Sequence, residues 1–114
     1  MIEQATMAKL ERYLDVVASR QRGVATNIAN LDTPGYRTKD IDFASALRSA
    51  VEGGSLGMEP REVAGLVERP DGNNVSMERE SMLLAETQLQ FRAGVELLRR
   101  QFSRLRTAIT EGKS

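Results

Sequence analysis

The chain contains no cysteine and no histidine. Without cysteine there is no disulfide framework, no thiolate nucleophile and no thiolate-bound metal. Without histidine the chain lacks the side chain most used for acid–base chemistry near neutral pH and for metal ligation. Asp40 and Asp42 form a carboxylate pair beside Lys39, but their spacing in a polar segment suits turn and cap residues better. We therefore expect a protein that is not an enzyme, with no catalytic residues, no metal and no cofactor.

Aromatic residues, net charge and long apolar runs are also scarce. Aromatics make up 4% of the chain, tryptophan is absent, and the 40% of apolar residues suffice for one seam between helices. Sixteen basic and sixteen acidic residues cancel, so no overall field recruits nucleic acid or an anionic membrane. No apolar run approaches the roughly 20 residues that span a bilayer. The charged start "MIEQATMAKLERYLDVV" lacks the apolar stretch of a secretory signal, so we expect any export to use no cleavable signal peptide.

The N-terminal part of the chain repeats apolar residues every three and four positions, a period of 3.5. Gln21 is the one polar member, no proline precedes Pro34, and Gly23 is the one glycine before it. This pattern predicts a helix from Ile2 to about Asn30, within an N-terminal element spanning 1–32. The members of this N-terminal seam are Met7, Leu10, Leu14, Val17, Gln21, Val24, Ile28 and Leu31.

The C-terminal part shows the same period, within an element spanning 76–114. Ser76 is placed to cap the helix, and Gly112 to stop it. Gln88 and Gln21 are polar positions that we expect to fix the register of the two helices. The C-terminal seam comprises Leu84, Gln88, Phe91, Val95, Leu98, Phe102, Leu105 and Ile109, preceded at the same spacing by Met77 and Ser81.

The residues from 33 to 75 form a connector of mixed character. "DFASALRSAVEGG" predicts a short helix capped by Asp42. "REVAGLVERPDGNN" predicts an extended stretch that turns at Pro70-Asp71-Gly72. Together the segments predict an all-α fold in which two long terminal helices pair as an antiparallel coiled coil, with an irregular or extended middle segment.

The stretch "NIANLDTPGYRTKDIDF" at the end of the first helix is unusually polar. Asn30 can end the helix in the left-handed conformation, and Thr33-Pro34-Gly35-Tyr36 fits a type II turn. Asn27 is left without a role, because Asn is a mediocre helix former. We expect its amide to reach the returning chain or a neighbouring helix, and its loss to harm assembly more than the soluble subunit.

The same residues carry a resemblance. "NIANLDTPGY" after an N-terminal heptad helix resembles the signature of the flagellar axial proteins of the rod and hook. The continuation "KDIDF", and "DGNNVSMERE" leading into a terminal heptad helix, are most similar to the proximal rod proteins of that family. The assembly motif so identified comprises Asn27, Ile28, Ala29, Asn30, Asp32, Thr33, Pro34, Gly35 and Tyr36.

The resemblance implies a structural role without catalysis. The terminal helices would pair as a coiled coil lining the inner tube of the rod. The middle segment would contact neighbouring subunits. The partners implied for the chain are other rod subunits, further copies and the adaptor at the basal-body ring. It also implies export by the flagellar type III apparatus to the rod in the periplasmic space, with no direct membrane insertion. The free energy gained by burying one apolar seam is smaller than the conformational entropy cost of ordering both helices. We therefore expect the helices to be fully stable only when they pack against other subunits.

Two other interpretations remain open. The chain could be another flagellar rod subunit. Alternatively, Arg99, Arg100, Arg104 and Arg106 could make a basic helix of a cytoplasmic hairpin adaptor that binds DNA or an anionic membrane. We favour a solvated face, and hence no nucleic-acid partner, because the net charge is zero. Arg20 and Arg22 are likewise expected to be flanking charges.

Overall fold

A computed structural model describes residues 2–54 and 56–112; the predicted ends at Met1, Lys113 and Ser114 lie outside this part. The chain forms α1 (Ile2–Ala29), β1 (Lys39–Asp40), α2 (Phe43–Val51), β2 (Arg61–Glu62) and α3 (Met77–Gly112). The molecule measures 70 × 23 × 16 Å. Helices dominate, and the two short strands pair antiparallel, Lys39 with Glu62 and Asp40 with Arg61. The predicted all-α class is therefore confirmed.

The long helices α1 and α3 pack side by side and run antiparallel. Asn27, near the end of α1, bonds to Glu80 at the start of α3. Farther along, the Tyr13 hydroxyl donates to the Gln90 carbonyl over 3.3 Å, and Leu14 lies against Gly94. Residue numbers fall along α1 as they rise along α3, which confirms the predicted antiparallel pairing. A Cβ on Gly94 would lie 2.6 Å from Leu14 Cδ2, so this glycine lets the two helices approach closely.

The predicted N-terminal seam faces inward. Val17 and Val24 are almost fully buried, and the other seam residues of α1 are half-buried. Val16, one position off the seam, is also buried and belongs to a second apolar cluster with Ile41, Ala46 and Ala50. One helix therefore serves two partners, with α3 on one side and α2 on the other.

The predicted C-terminal seam is rotated relative to the face that α1 covers. The buried residues of α3 are Glu80, Leu83, Thr87 and Gly94, each of which precedes a predicted position by one residue. Leu84, Val95, Leu98 and Leu105 are half-buried at the edge of this face. Several predicted members are exposed instead: Met77, Ser81, Gln88, Phe91, Phe102 and Ile109. These six positions are not buried against α1 in this structure, and their role in a seam stays a prediction.

The reason for this rotation lies in polar and small residues that an apolar pattern ignores. The bond from Asn27 fixes which side of α3 faces α1 at one end. Gly94 lets Leu14 and Tyr13 approach closely near the middle of both helices. Phe91 and Phe102 would hold the helix axes apart, whereas Thr87 and Gly94 permit close contact.

The connector folds back along α1. Asp42 caps α2 as predicted, since its side chain accepts a hydrogen bond from the Ser45 amide over 3.2 Å. Phe43, Leu47 and Met58 pack on the cluster around Val16, and the Arg12 side chain donates to the Ala50 carbonyl at the end of α2 over 2.6 Å. The connector is therefore ordered against the helical pair.

The end of α1 differs from the prediction at Asn30. No residue other than glycine has a positive φ among those described, so Asn30 is not left-handed. The last turn instead tightens, with the Asn30 amide bonded to the Asn27 carbonyl and the Leu31 amide to the Ile28 carbonyl, both over 3.1 Å. The turn that follows is as predicted: the Tyr36 amide bonds to the Thr33 carbonyl, and Gly35 has φ +76° at the position where a type II turn requires it.

Candidate assembly site

Asn27 lies at the centre of a buried polar cluster, the Asn27 cluster, formed with Tyr36, Lys39 and Glu80. Its side chain is 1% exposed. The amide nitrogen donates to the Lys39 carbonyl over 2.8 Å and to a Glu80 carboxylate oxygen over 2.7 Å. The amide oxygen accepts from the Tyr36 hydroxyl over 2.9 Å and from the Lys39 amide over 3.1 Å. The two donor and two acceptor positions of this α1 side chain are thus filled by the returning chain and by α3.

The Asn73 side chain caps the end of α1. It is fully buried, and its side-chain amide donates to the carbonyls of Asn30, Leu31 and Thr33 over 2.8–3.0 Å. The Arg69 guanidinium also donates to the Leu31 carbonyl. Carbonyls at a helix end have no partner within the helix and must find one elsewhere. This capping from a distant segment explains why Asn30 needs no left-handed conformation.

Asn74 ties the same two segments together one residue later. Its side-chain oxygen accepts from the Thr38 amide over 2.6 Å, and its backbone carbonyl accepts from the Thr38 hydroxyl over 3.2 Å. The Gly35 amide bonds to the Asp71 carbonyl over 2.8 Å. The predicted turns at Pro34-Gly35 and Pro70-Asp71-Gly72 therefore pack against each other.

A chain of ion pairs connects the Asn27 cluster to the rest of the fold. Arg20 binds both carboxylate oxygens of Asp40, at 3.0 and 3.3 Å. Arg79 bridges Asp40 at 2.8 Å and Glu80 at 2.9 Å. Arg20 also stacks over the Phe43 ring at 4.8 Å. The expectation that Arg20 is a flanking charge is wrong, and Asp40 joins three elements where a turn residue was expected.

Burial changes the titration of two members of the Asn27 cluster. Glu80 has no exposed surface, and burial raises its pKa, an effect partly opposed by the Asn27 hydrogen bond and the Arg79 charge. Burial raises the pKa of Tyr36 as well, and the charge of Glu80 adds to that rise. Both groups are therefore more readily kept neutral here than in water.

The predicted assembly motif divides into an inner and an outer part. Asn27 is buried, and Ile28, Asn30 and Tyr36 are half-buried. Asn30 holds its own helix end, through the Thr26 carbonyl and the Thr33 hydroxyl. The outward residues are Ala29, Asp32, Thr33, Pro34 and Gly35. The inner part shapes the fold, and the outer part presents a turn to the surroundings.

Sequence reasoning did not assign roles to Asn73, Asn74, Arg69 and Arg79. The signal available was the doubled Asn after an Asp-Gly turn, since Asn in a turn can bond the backbone. Its partners lie 36 to 43 residues away, however. Glu80 is an acidic residue in the first turn of α3, but its burial and its ion pair with Arg79 leave no local pattern in the sequence.

Metal sites and membrane-spanning helices are both absent from the part of the chain that the structure describes. Across residues 2–54 and 56–112, no three acidic side chains converge as a metal site would require. Nor does any helix in this part have the length and apolar character needed to cross a membrane.

Comparison with known proteins identifies the family. No family model matches the chain. It is 32% identical to the flagellar basal body rod protein FlgB of Salmonella typhimurium, across 90% of this chain and 91% of that protein. FlgB of Bacillus subtilis is 31% identical across 95% of each chain, and FlgB of Escherichia coli is 30% identical across 90% of this chain and 91% of its own. The chain therefore belongs to the FlgB family of flagellar basal body rod proteins.

Proposed function

We infer that this chain is a structural subunit of the flagellar basal-body rod, in its proximal part, and forms part of the drive shaft for motility. The observation that carries this conclusion is the similarity to FlgB rod proteins over nine-tenths or more of both chains. Family membership favours this function over a cytoplasmic adaptor that binds nucleic acid or lipid. We assign no catalytic role.

The geometry supports a structural role. The molecule is 70 Å long, and its helical pair is stiffened at one end by a connector that is bonded to both helices. The polar bonds at this end leave little freedom for α1 and α3 to rotate about their axes. A subunit of this kind can transmit torque because its two helices move as one body.

The exposed apolar residues of α3 support assembly by helix packing. Phe91, Phe102 and Ile109 are 37–56% exposed and follow the heptad spacing of the predicted C-terminal seam. An apolar stripe of this kind on a free surface marks an interaction site. We propose that these positions, which are exposed and not buried against α1, contact helices of neighbouring axial subunits.

We propose further that the assembly motif orients the subunit in the rod. Its outward turn, from Asp32 to Gly35, is held rigidly by Asn73 and lies where a neighbour can contact it. The partners proposed are other rod subunits, further copies of this chain and the adaptor between ring and rod. We place the assembled protein in the periplasmic part of the basal body, after export by the flagellar type III apparatus without a cleavable signal peptide.

Electron microscopy of basal bodies tests the function. Cells lacking the gene should produce basal bodies without a completed rod and should not swim, and the intact gene supplied in trans should restore both. Secreted levels of the other axial proteins serve as the control for export. An intact rod in the deletion strain would contradict the proposed function.

A further inference from the structure

A groove beside the helical pair has features that the contact between α1 and α3 does not use. It lies between Gln21 of α1 and the outer side of α3, with a volume of about 470 Å³. Phe91 and Val95 provide its apolar surface, and Gln88 provides a second amide opposite Gln21. Phe91 is 37% exposed. The two polar positions of the predicted seams therefore meet in one groove.

Two arginines flank this groove without ionic partners. Arg92 and Arg99 line it, and within the described residues neither has a carboxylate or hydrogen-bond partner. They are seven residues apart, so they lie on the same side of α3 and roughly 10 Å apart along its axis. The carboxylate in the groove wall, Glu96, faces Arg100 at 4.0 Å. Two free guanidinium groups lie beside an exposed aromatic ring. A ligand that matches them has an apolar centre to pack on the ring and carboxylates at its edge to pair with the arginines.

We propose that this groove binds an amphipathic helix of another axial subunit whose carboxylates recur one heptad apart. Apolar side chains of that helix pack on Phe91 and Val95, and its carboxylates pair with Arg92 and Arg99. This inference rests on the proposed rod function, because it specifies the chemistry of a neighbour in the rod.

Charge decides between this occupant and two others. No two acidic residues of α1 or α3 are seven apart, so a second copy of this chain offers no matching helix. A phosphate-bearing surface, of a lipid or a nucleic acid, would meet the carboxylate of Glu96 in the groove itself. An acidic helix can place its carboxylates at the arginines and leave an apolar or amide group opposite Glu96.

The test uses the full chain and labelled three-heptad peptides with leucine at the core positions. One peptide carries Glu once per heptad beside the core, and its control carries Lys there. By fluorescence anisotropy we expect the Glu peptide to bind more tightly, by roughly tenfold for two such charge pairs, with affinity falling as salt rises. The charge reversal Arg92→Glu with Arg99→Glu should transfer the preference to the Lys peptide. Arg22→Glu, on an exposed position of α1 outside the groove, should leave it unchanged.

Several results would overturn the inference. These are equal binding of both peptides, a preference that the charge reversal does not transfer, and self-association of the chain alone that the reversal abolishes. Binding to phosphatidylglycerol vesicles that matches the Glu peptide and is lost on reversal would also overturn it, in favour of a lipid surface. Circular dichroism confirms that each variant is folded. If the deletion strain lacks a rod but the charge-reversed strain builds one and swims, the groove inference fails and the rod function stands.

Discussion

Asn27 shows how a single side chain can decide the arrangement of three segments. Its four hydrogen bonds reach Tyr36, Lys39 and Glu80, at separations of 9, 12 and 53 residues. A residue with mediocre helix propensity is retained in a helix because every polar atom of its side chain has a partner in the interior. The partners belong to the same chain, so its first effect is on folding of the subunit.

Asn27→Ala should therefore destabilise the free subunit, in contrast to the expectation from sequence that assembly would be harmed more than the soluble subunit. The change leaves the Lys39 amide and carbonyl and one Glu80 oxygen without this partner in a buried site. We expect the free energy of unfolding to fall by about 2–4 kcal/mol, measured by urea denaturation followed by circular dichroism. Asn30→Ala is the matched control, since its bonds are exposed and its loss should be small. Equal stability of the Asn27 variant and the parent would contradict this role.

Glu80 should make the stability of the folded subunit depend on pH in a predictable direction. Burial is the main cause that raises its pKa above the ordinary value of 4.5. The folded chain then holds this proton more tightly than the unfolded chain, so the stability contributed by this group falls as pH rises from about 4.5 through the raised pKa. We expect Glu80→Gln, which keeps an acceptor but cannot ionise, to gain stability relative to the parent as pH rises through that window.

Urea denaturation at a series of pH values measures this difference. Glu78→Gln is the matched control, because Glu78 lies in the same helical turn with an exposed side chain. Its stability difference from the parent should stay nearly constant across the window. A stability difference between the Glu80 variant and the parent that does not change with pH would show that Glu80 titrates alike in the folded and unfolded chains.

At the scale of elements, two glycines inside the long helices have opposite environments. A Cβ on Gly23 of α1 would contact nothing within 4 Å, whereas a Cβ on Gly94 of α3 would lie 2.6 Å from Leu14 and 3.0 Å from the Tyr13 ring. Glycine weakens a helix wherever it occurs. At position 94 a glycine is required because α1 and α3 meet there. At position 23 no contact requires one.

The same substitution at both glycines separates packing from helix propensity. Gly23→Leu should stabilise the chain by up to about 0.8 kcal/mol, the difference in helix propensity. Gly94→Leu should destabilise it by about 1–3 kcal/mol, because the side chain forces α1 and α3 apart. Thermal and urea unfolding of the two variants measure the effect. A stabilised Gly94 variant would show that the helices do not approach closely at this point.

At the scale of the whole molecule, the contacts that fix the fold are concentrated at one end. The Asn27 cluster, the Asn73 cap and the Arg20–Asp40–Arg79 ion pairs lie around the end of α1 and the start of α3. Toward the other end, Ile2, Leu97, Phe102 and Ile109 are exposed. This distribution suits a subunit whose distant ends gain partners on assembly.

Hydrogen exchange on the free subunit should follow this distribution. We expect amide protection to be highest around Asn27 and Glu80 and to fall toward residues 2–10 and 99–112, where protease should also cut first. Helicity should rise with concentration or on addition of neighbouring subunits. Uniform protection along both helices at micromolar concentration would contradict folding coupled to assembly.

The sequence determined the features that depend on neighbouring residues. The spans of α1 and α3 followed from the apolar period, the start of α2 from the Asp42 cap, and the turn from Pro34 and Gly35. Each depends on backbone preference or on bonds within a few residues, and these leave a direct pattern in the chain. The resemblance in "NIANLDTPGY" also sufficed for the family, which the relatives confirm.

The tertiary structure decided which face of α3 meets α1 and what the polar residues bind. Apolar spacing marks one stripe on α3, whereas the buried face beside it carries Glu80, Thr87 and Gly94. The choice of that face depends on the Asn27–Glu80 bond and the Gly94 contact. The local sequence suggests a flanking charge at Arg20 and a turn residue at Asp40, whereas the fold brings both together with Arg79. Hydrogen bonds and ion pairs join residues across tens of positions, and their energy depends on burial that no local pattern records.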